Sequence, residues 1–575
     1  MITCVRVRYF KRFDDEVFDL SDHVVLAGPN NSGKTSLLQA VAVWNLALQK
    51  WTAERGPKTG SKAKQRTGVP ITRKDFTPIP LRELKLLWTD TSTALRRGEV
   101  PEGHAGYPRV LAITLTGSSE GESWELTFEF RYQNSELLYV KPAAEQMDIP
   151  PKAVKDIQVI HVPPFSGIGA EETGYDRPYQ NLLIGQGKPG DILRNLLLEV
   201  YQREPRDDWQ ALCQQIKDIF GYHLLSPQYE GRPHILCEYQ ESSPVRGRGS
   251  SPRLDISCGG SGFHQVLLLL GFFYARPATV LLLDEPDAHL HVILQKQIYD
   301  RLRQIAAERR CQLIIATHSE VLLDGTSPEL IVSFYKKPHR LISYTERDQV
   351  REALKRLTAM DILLAEQAPG VLYVEGESDY NLLFTWARVL NHPLYEVLKC
   401  CPFRHSNQGR NPREARGHFF ALRAVKPDMR GYLLLDGDNR SLSDRDMEAE
   451  DLVIGRWTRY ETESYLVHPD MLRRYAEAQS GPLFASVGME YLHDELPGAV
   501  FRDPLGEHDY LNRTPASKTL LPGFLKQAQI ALTKIDYYLI AQQMKPEEIA
   551  QEVRKKLDDI AWSFGREAKA LGDCL

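Results

Sequence analysis

Hydrophobic and polar positions alternate in period two over residues 1–10, M-I-T-C-V-R-V-R-Y-F, and again in R-V-L-A-I-T-L-T and S-W-E-L-T-F-E-F-R-Y between 108 and 140. Side chains two apart share one face of a strand, so these stretches predict β-structure. Residues 1–27 predict two or three short strands ending in H-V-V-L-A, and residues 35–50 a helix. The period changes between 188 and 220. There D-I-L-R-N-L-L-L-E-V and W-Q-A-L-C-Q-Q-I-K-D-I-F place apolar residues three or four apart, as helices do. The turn-rich segments P-P-F-S-G-I-G and E-S-S-P-V-R-G-R-G-S-S-P flank this region, which reads as a helical insertion over about 165–245. Strands resume at 278–284 and 312–316, each paired with a helix. A break at A-E-Q-A-P-G (365–370) precedes a new βα series, and the last 50 residues read as helical. The pattern predicts an α/β chain of two domains, 1–365 and 366–575. The basic, Gly-containing stretch 56–68 reads as a surface loop.

The first chemistry-bearing stretch is G-P-N-N-S-G-K-T, which matches G-x-x-x-x-G-K-[ST] between a strand and a helix. Backbone N–H groups of such a loop, backed by a helix N-terminus, cradle phosphate. The expected nucleotide contacts are Asn30, Asn31, Ser32, Gly33, Lys34, Thr35 and Ser36, with Lys34 on the β and γ phosphates and Thr35 on Mg2+. A-T-V-L-L-L-D-E-P (278–286) is an apolar run ending in two acids. A buried strand would deliver Asp284 to Mg2+ and Glu285 to the attacking water.

A second acidic constellation follows. V-L-Y-V-E-G-E-S-D-Y carries Glu375, Glu377 and Asp379. G-Y-L-L-L-D-G-D-N-R carries Asp436 and Asp438, and R-Y-E-T-E-S-Y-L carries Glu461 and Glu463. Hard divalent cations take carboxylate oxygens, and acids brought from three strand ends suit a two-metal site acting on phosphate. Between them, C-P-F-R-H-S-N-Q-G-R-N-P-R-E-A-R-G-H (401–418) places Arg404, His405, Arg410, Arg413 and Arg416 where a nucleic-acid backbone would be neutralised.

These motifs carry a resemblance. The opening R-Y-F-K-R-F…L-A-G-P-N-N-S-G-K-T-S-L-L-Q-A-V, with I-S-C-G-G-S-G-F-H-Q and L-I-I-A-T-H-S, resembles the ABC-type ATPases of the SMC and RecF branch. The resemblance implies that Gly260, Ser261 and Gly262 form a signature motif contacting ATP on a partner subunit. It also implies a D-loop Asp287, a switch histidine His318, and a homodimer or higher homo-oligomer. The signature departs from L-S-G-G-Q, since Cys258 and a second Ser intrude, leaving Ser257 as a rival to Ser261. The acidic series is similar to the Toprim domain. That implies metal binding and acid/base chemistry by Glu375, Asp436 and Asp438, with Asp379, Glu461 and Glu463 as in its nuclease subgroup, and a late basic residue matched by Lys518. An ABC-type ATPase head followed by a parallel-sheet Toprim domain is the arrangement of the OLD (overcoming lysogenization defect) nucleases. The expectation is an ATP- and Mg2+-dependent endonuclease, with Mn2+ as an alternative at the Toprim site. It would act on nucleic acid, DNA in preference to RNA, in anti-phage defence, sometimes with a co-encoded partner. The rivals are an ATP-driven DNA clamp without cleavage and a Toprim ribonuclease acting on tRNA.

Composition changes this picture little. Lys plus Arg (71) nearly balance Asp plus Glu (76), so any basic groove is local. Eight scattered Cys without C-x-x-C spacing argue against a disulfide framework or structural zinc. No apolar run approaches 18 residues, and the first ten residues lack a leader's apolar core. The expectation is a cytoplasmic protein with no membrane partner.

Overall fold

In the computed structural model, the alternating N-terminal pattern is the strand Ile2–Phe10, whose Ile2, Val5, Val7 and Phe10 are buried. The structure describes all residues except 21, 56–67, 96–106, 120–121, 144–153, 155–156, 242–250, 336, 359–360, 363–367, 369, 401–402, 406–411, 439–450 and 565–575. The expected loop over 56–68 therefore lies, but for Gly68, outside the described residues, as does Arg410. The chain divides into two compact units, Met1–Leu354 and Lys355–Leu575. This division falls ahead of the expected break at 365/366, because Leu357 already packs on the core around Val371 and Tyr373.

Among the described residues the first unit holds a three-stranded sheet, Leu254–Asp255, Glu238–Glu241, Tyr222–Leu224, and two six-stranded ones. One runs Phe13–Asp19, Ile2–Phe10, Leu111–Ser119, Glu122–Asn134, Leu137–Pro142, Val69–Thr72 and is antiparallel throughout. The other runs His339–Arg340, Ile331–Ser333, His23–Ala27, Gln312–Thr317, Val280–Asp284, Val159–Val162, parallel except at its first pair. The helix Lys34–Arg55 shares one core with strands of both sheets. Its buried positions are nearly continuous from Leu37 to Leu48, so it is apolar around most of its girth, as a helix covered on several sides must be. Trp44 donates to the Leu126 carbonyl at 2.9 Å, tying that helix to the antiparallel sheet. The stretch expected to be helical over 188–220 resolves into Leu193–Gln202 and Asp207–Phe220, broken at the bend R-E-P-R around Pro205. Both pack against the helix Ser261–Ala275.

The second unit is built on a four-stranded parallel sheet, Phe403–His405, Val371–Val374, Gly431–Leu435, Leu452–Arg456. Leu372 and Val374 belong to one core and Val371 and Tyr373 to another, so the V-L-Y-V run is buried on both faces. The larger core includes Val553, Leu557 and Ile560 of the helix Gln551–Ser563, so the C-terminal residues complete this unit. Val371–Val374 pairs with strands on either side that follow it in sequence. The carboxyl ends at such a switch in strand order open a crevice where α/β sheets bind ligands, and Glu375 and Asp436 stand there. Among the described residues no helix is long and apolar enough to cross a membrane.

Candidate functional site

The nucleotide loop leaves the buried strand His23–Ala27 and enters the helix beginning at Lys34. Gly33 has φ +109°, a conformation that side chains disfavour, and an added Cβ would meet Arg12 Cδ at 2.7 Å. Lys34 is buried, and its ammonium donates to the carbonyls of Gly28 at 2.7 Å and Pro29 at 2.8 Å. Burial pushes its pKa down; the carboxylates of Glu285, Asp284 and Asp287 act the other way. A phosphate tail would give this cation a full counter-charge. Thr35 Oγ1 donates to Asp284 Oδ1 at 3.1 Å, bringing together the two groups expected to share Mg2+. Burial raises the Asp284 carboxyl to about 6.

Glu285 follows with φ +51°, an uncommon conformation for a non-glycine that costs roughly 1–3 kcal/mol and concentrates at active sites. His318 Nδ1 stands 3.5 Å from Glu285 Oε1; this hydrogen bond lowers the pKa of the acid and raises that of the imidazole. Asp287 is buried and accepts from Thr317 Oγ1 at 2.7 Å. The structure thus gathers Lys34, Thr35, Asp284, Glu285, Asp287 and His318 at adjoining strand ends. The segment Ile256–Gly262 lies apart in function: Asp255 caps the Ser257 N–H, and Ser257, Cys258, Gly260 and Ser261 are exposed at the start of the helix Ser261–Ala275. Arg12 was not singled out from the sequence. Its guanidinium donates to the Asn31 carbonyl, placing a fixed cation over the loop.

In the second unit, the Asp436 N–H donates to Glu375 Oε1 at 3.3 Å, and Asp436 Oδ1 accepts from the Thr462 N–H at 3.2 Å. Asp379 is buried and accepts from the Gly376 N–H at 2.8 Å through Oδ2. Its Oδ1 is buried without a hydrogen-bond partner among the described residues. Glu463 is 0% exposed and faces the Lys534 ammonium at 3.0 Å. Burial, and then the charges of Asp379, Glu375 and Glu463, push Asp436 far above the carboxylate range; burial and Glu463 do the same to Asp379. Four carboxylates are therefore close enough to repel one another, with the Lys534 ammonium acting the other way.

The D-G-D turn is held by backbone contacts. An added Cβ at Gly437 would meet the Arg459 carbonyl at 2.1 Å, and Arg456 donates to the carbonyls of Asp436 and Asp438. Asp438 itself is half-buried. Glu461 accepts from Ser517, Oγ to Oε2 at 3.0 Å and N–H to Oε1, so both its oxygens are engaged. Lys518, next to Ser517, is exposed, and the ammonium facing the acids is that of Lys534, which no motif announces. Arg404 and His405 fall on the edge strand, and Arg413 and Arg416 on the helix Arg413–Val425. Among the described residues no three or more His, Cys, Asp or Glu side chains are grouped so that they could hold a metal ion.

Residues 247–324 match the family described as "AAA domain, putative AbiEii toxin, Type IV TA system". That segment contains Asp284, Glu285, Asp287 and His318, and not the loop residues Gly33, Lys34 and Thr35. No curated protein matches the chain. Solved structures similar to it include the SMC head domain from Thermotoga maritima, at 14% identity and TM-score 0.30, covering 58% of this chain and 94% of that one. An Smc head domain with an extended coiled coil, bound to the C-terminal domain of ScpA and derived from Pyrococcus furiosus, matches at 14% identity and TM-score 0.32, with 58% and 92% covered. An Smc head domain with a coiled coil and joint derived from Pyrococcus yayanosii matches at 11% identity and TM-score 0.34, with 62% and 99% covered.

Proposed function

We propose that the chain is an ATP-hydrolysing, divalent-metal-dependent nuclease of the OLD type, its second unit a Toprim domain. The observation that carries the cutting half is the acid cluster at the parallel-sheet switch: Glu375, Asp379, Asp436 and Glu463, with an orphaned Asp379 oxygen and Lys534 beside them. Burying like charges costs free energy, and a protein keeps such an arrangement when a cation offsets it. The donor set fits Mg2+ or Mn2+, which prefer carboxylate oxygens. Glu375, Asp379, Asp436, Asp438 and Glu463 would hold the metal, and bound there it would lower the pKa of water and take charge from a phosphodiester.

The chain's own groups do the rest. Arg456 fixes the D-G-D backbone, Thr462 orients Asp436, and Glu461 anchors the Ser517 turn. Lys534 supplies a positive charge beside Glu463, and Lys518, exposed next to Ser517, would meet phosphate. In the first unit Lys34 leaves the loop carbonyls for a phosphate tail, Glu285 orients water, and His318 holds Glu285. The exposed signature residues would reach nucleotide held by a second copy, so two chains would close over ATP and gate cleavage. The substrate is nucleic acid, DNA in preference to RNA, and anti-phage defence with a co-encoded partner is the role that accompanies this arrangement.

A second reading, an ATP-driven nucleic-acid clamp, is favoured by one observation: the acids of the second unit do not stand as a ready cage. Incubating wild type, Asp436→Ala and Glu375→Ala with DNA and RNA pools in Mg2+ or Mn2+, while following phosphate release from ATP, separates the two. Cleavage lost in both variants with ATP hydrolysis retained supports the nuclease. Absence of cleavage by wild type in every pool supports the clamp.

A further inference from the structure

A cavity of about 670 Å3 lies in the first unit, away from the nucleotide loop. Its walls are the distal half of the helix Lys34–Arg55, the edge strand Val159–Val162, one face of the helix Arg177–Gly185, and the corner that ends the helix Ser261–Ala275. The volume falls within the range that holds small organic ligands.

The lining has a definite chemistry. Arg177 and Arg276 contribute cations, and among the described residues no Asp or Glu lines the space. Glu199, behind the wall, lies 3.5 Å from Arg177 and 3.6 Å from Arg276, so one carboxylate faces two guanidinium groups. Ile184 and Phe272 supply apolar surface beside them. Three polar atoms of the lining are buried without partners among the described residues: Asn45 Oδ1, His161 Nε2 and Arg276 Nε. Asn45 is 7% and Arg276 6% exposed. Burial holds His161 neutral, with a pKa lowered to about 4, leaving it an acceptor as well as a donor.

We propose that this cavity binds a small organic anion with an aromatic or apolar body, its charge on Arg177 and Arg276 and its body against Ile184 and Phe272. The anion is a phosphate ester or a carboxylate. The site is separate from the nucleotide loop and independent of the nuclease reading.

The test is fluorescence titration of the full chain with 8-anilinonaphthalene-1-sulfonate, an aromatic anion. The expected result is one saturable site per chain, about tenfold weaker in Arg177→Ala and at least as much weakened in Ile184→Trp, which sets a bulky ring where the ligand's body would lie. Lys34→Ala, in the nucleotide loop, retains it. In that Lys34→Ala background, competition by adenosine 5′-monophosphate identifies a phosphate ester and competition by 1-naphthoate a carboxylate. Binding unchanged in both cavity variants overturns the proposal. So does binding lost with Lys34→Ala, competition by neither anion, or equal competition by the neutral 1-naphthalenemethanol.

Discussion

At the scale of single residues, Asp436 is a side chain whose surroundings oppose its charge. Asp379, Glu375 and Glu463 all act on it, and burial removes the water that would soften them. Replacing Asp436 by Asn removes an acid that burial and its neighbours force to stay protonated. In metal-free buffer the variant should be more stable than wild type, by about 1 kcal/mol or more, since each pKa unit of opposed ionisation carries that much. Added Mg2+ should raise the melting temperature of wild type and leave the variant unmoved. A variant less stable than wild type in chelator would show that Asp436 serves the fold and not a cation.

Glu172 offers a pH-dependent case in the first unit. It accepts from the Arg194 N–H at 2.8 Å and from Asn195, yet burial raises its pKa to about 7. The folded value exceeds the unfolded one, so its contribution to stability is full below about pH 4.5 and is lost as pH rises through 7. The loss amounts to about 3 kcal/mol. Chemical denaturation of wild type and Glu172→Gln at pH 5 and pH 8 should show that component of the slope in wild type and not in the variant.

At the scale of elements, the segment Trp457–Tyr465 carries the E-T-E acids and is fastened from a distance. Glu552, on the helix Gln551–Ser563, accepts from the Thr458 N–H and Oγ1, both at 2.9 Å, and from the Tyr465 hydroxyl. One carboxylate therefore holds both flanks of the turn that orients Asp436 through Thr462. Glu552→Ala should lower metal-dependent cleavage and cost roughly 2 kcal/mol of stability, while Glu552→Gln, which keeps an acceptor, recovers part of the cleavage. Stability lost with cleavage intact would count against the positioning role.

These fastenings also mark what sequence can disclose. The nucleotide loop and the L-L-L-D-E strand were legible because the chemistry and the element that carries it are contiguous. A loop between strand and helix, or an apolar run ending in acids, is visible within ten residues. The two central strands of the second sheet, Val371–Val374 and Gly431–Leu435, were legible for the same reason, since strands buried on both faces are continuous apolar runs, whereas Phe403–His405 lay in a stretch that reads as a basic loop. Glu552 stands 94 positions from Thr458, and Ser517 56 positions from Glu461, so nothing local announces either contact. Lys534 is likewise an ordinary lysine until folding sets it against Glu463. Lys518 drew attention through a resemblance of position, but the ammonium found against the acids is another one. The break in the helical stretch over 188–220 was missed because both halves keep the same apolar period across Pro205.

At the scale of the whole molecule, the nucleotide residues and the acid cluster occupy separate compact units, each with its own core. Damage to one should leave the other folded. Lys34→Ala should abolish ATP binding, because its ammonium is the buried cation of the loop, while Mn2+ still protects the second unit against thermal unfolding. Loss of that protection in Lys34→Ala would mean that the cation response arises in the first unit.

The central claim is that the acids at the sheet switch of the second unit form a cation site. Anomalous scattering from crystals grown with Mn2+ tests it most directly. The account predicts a peak within coordinating distance of Asp436 and Glu375, with Asp379 Oδ1 turned to it. Crystals that show manganese at Thr35 and Asp284 with ATP, but none near Asp436, would contradict it.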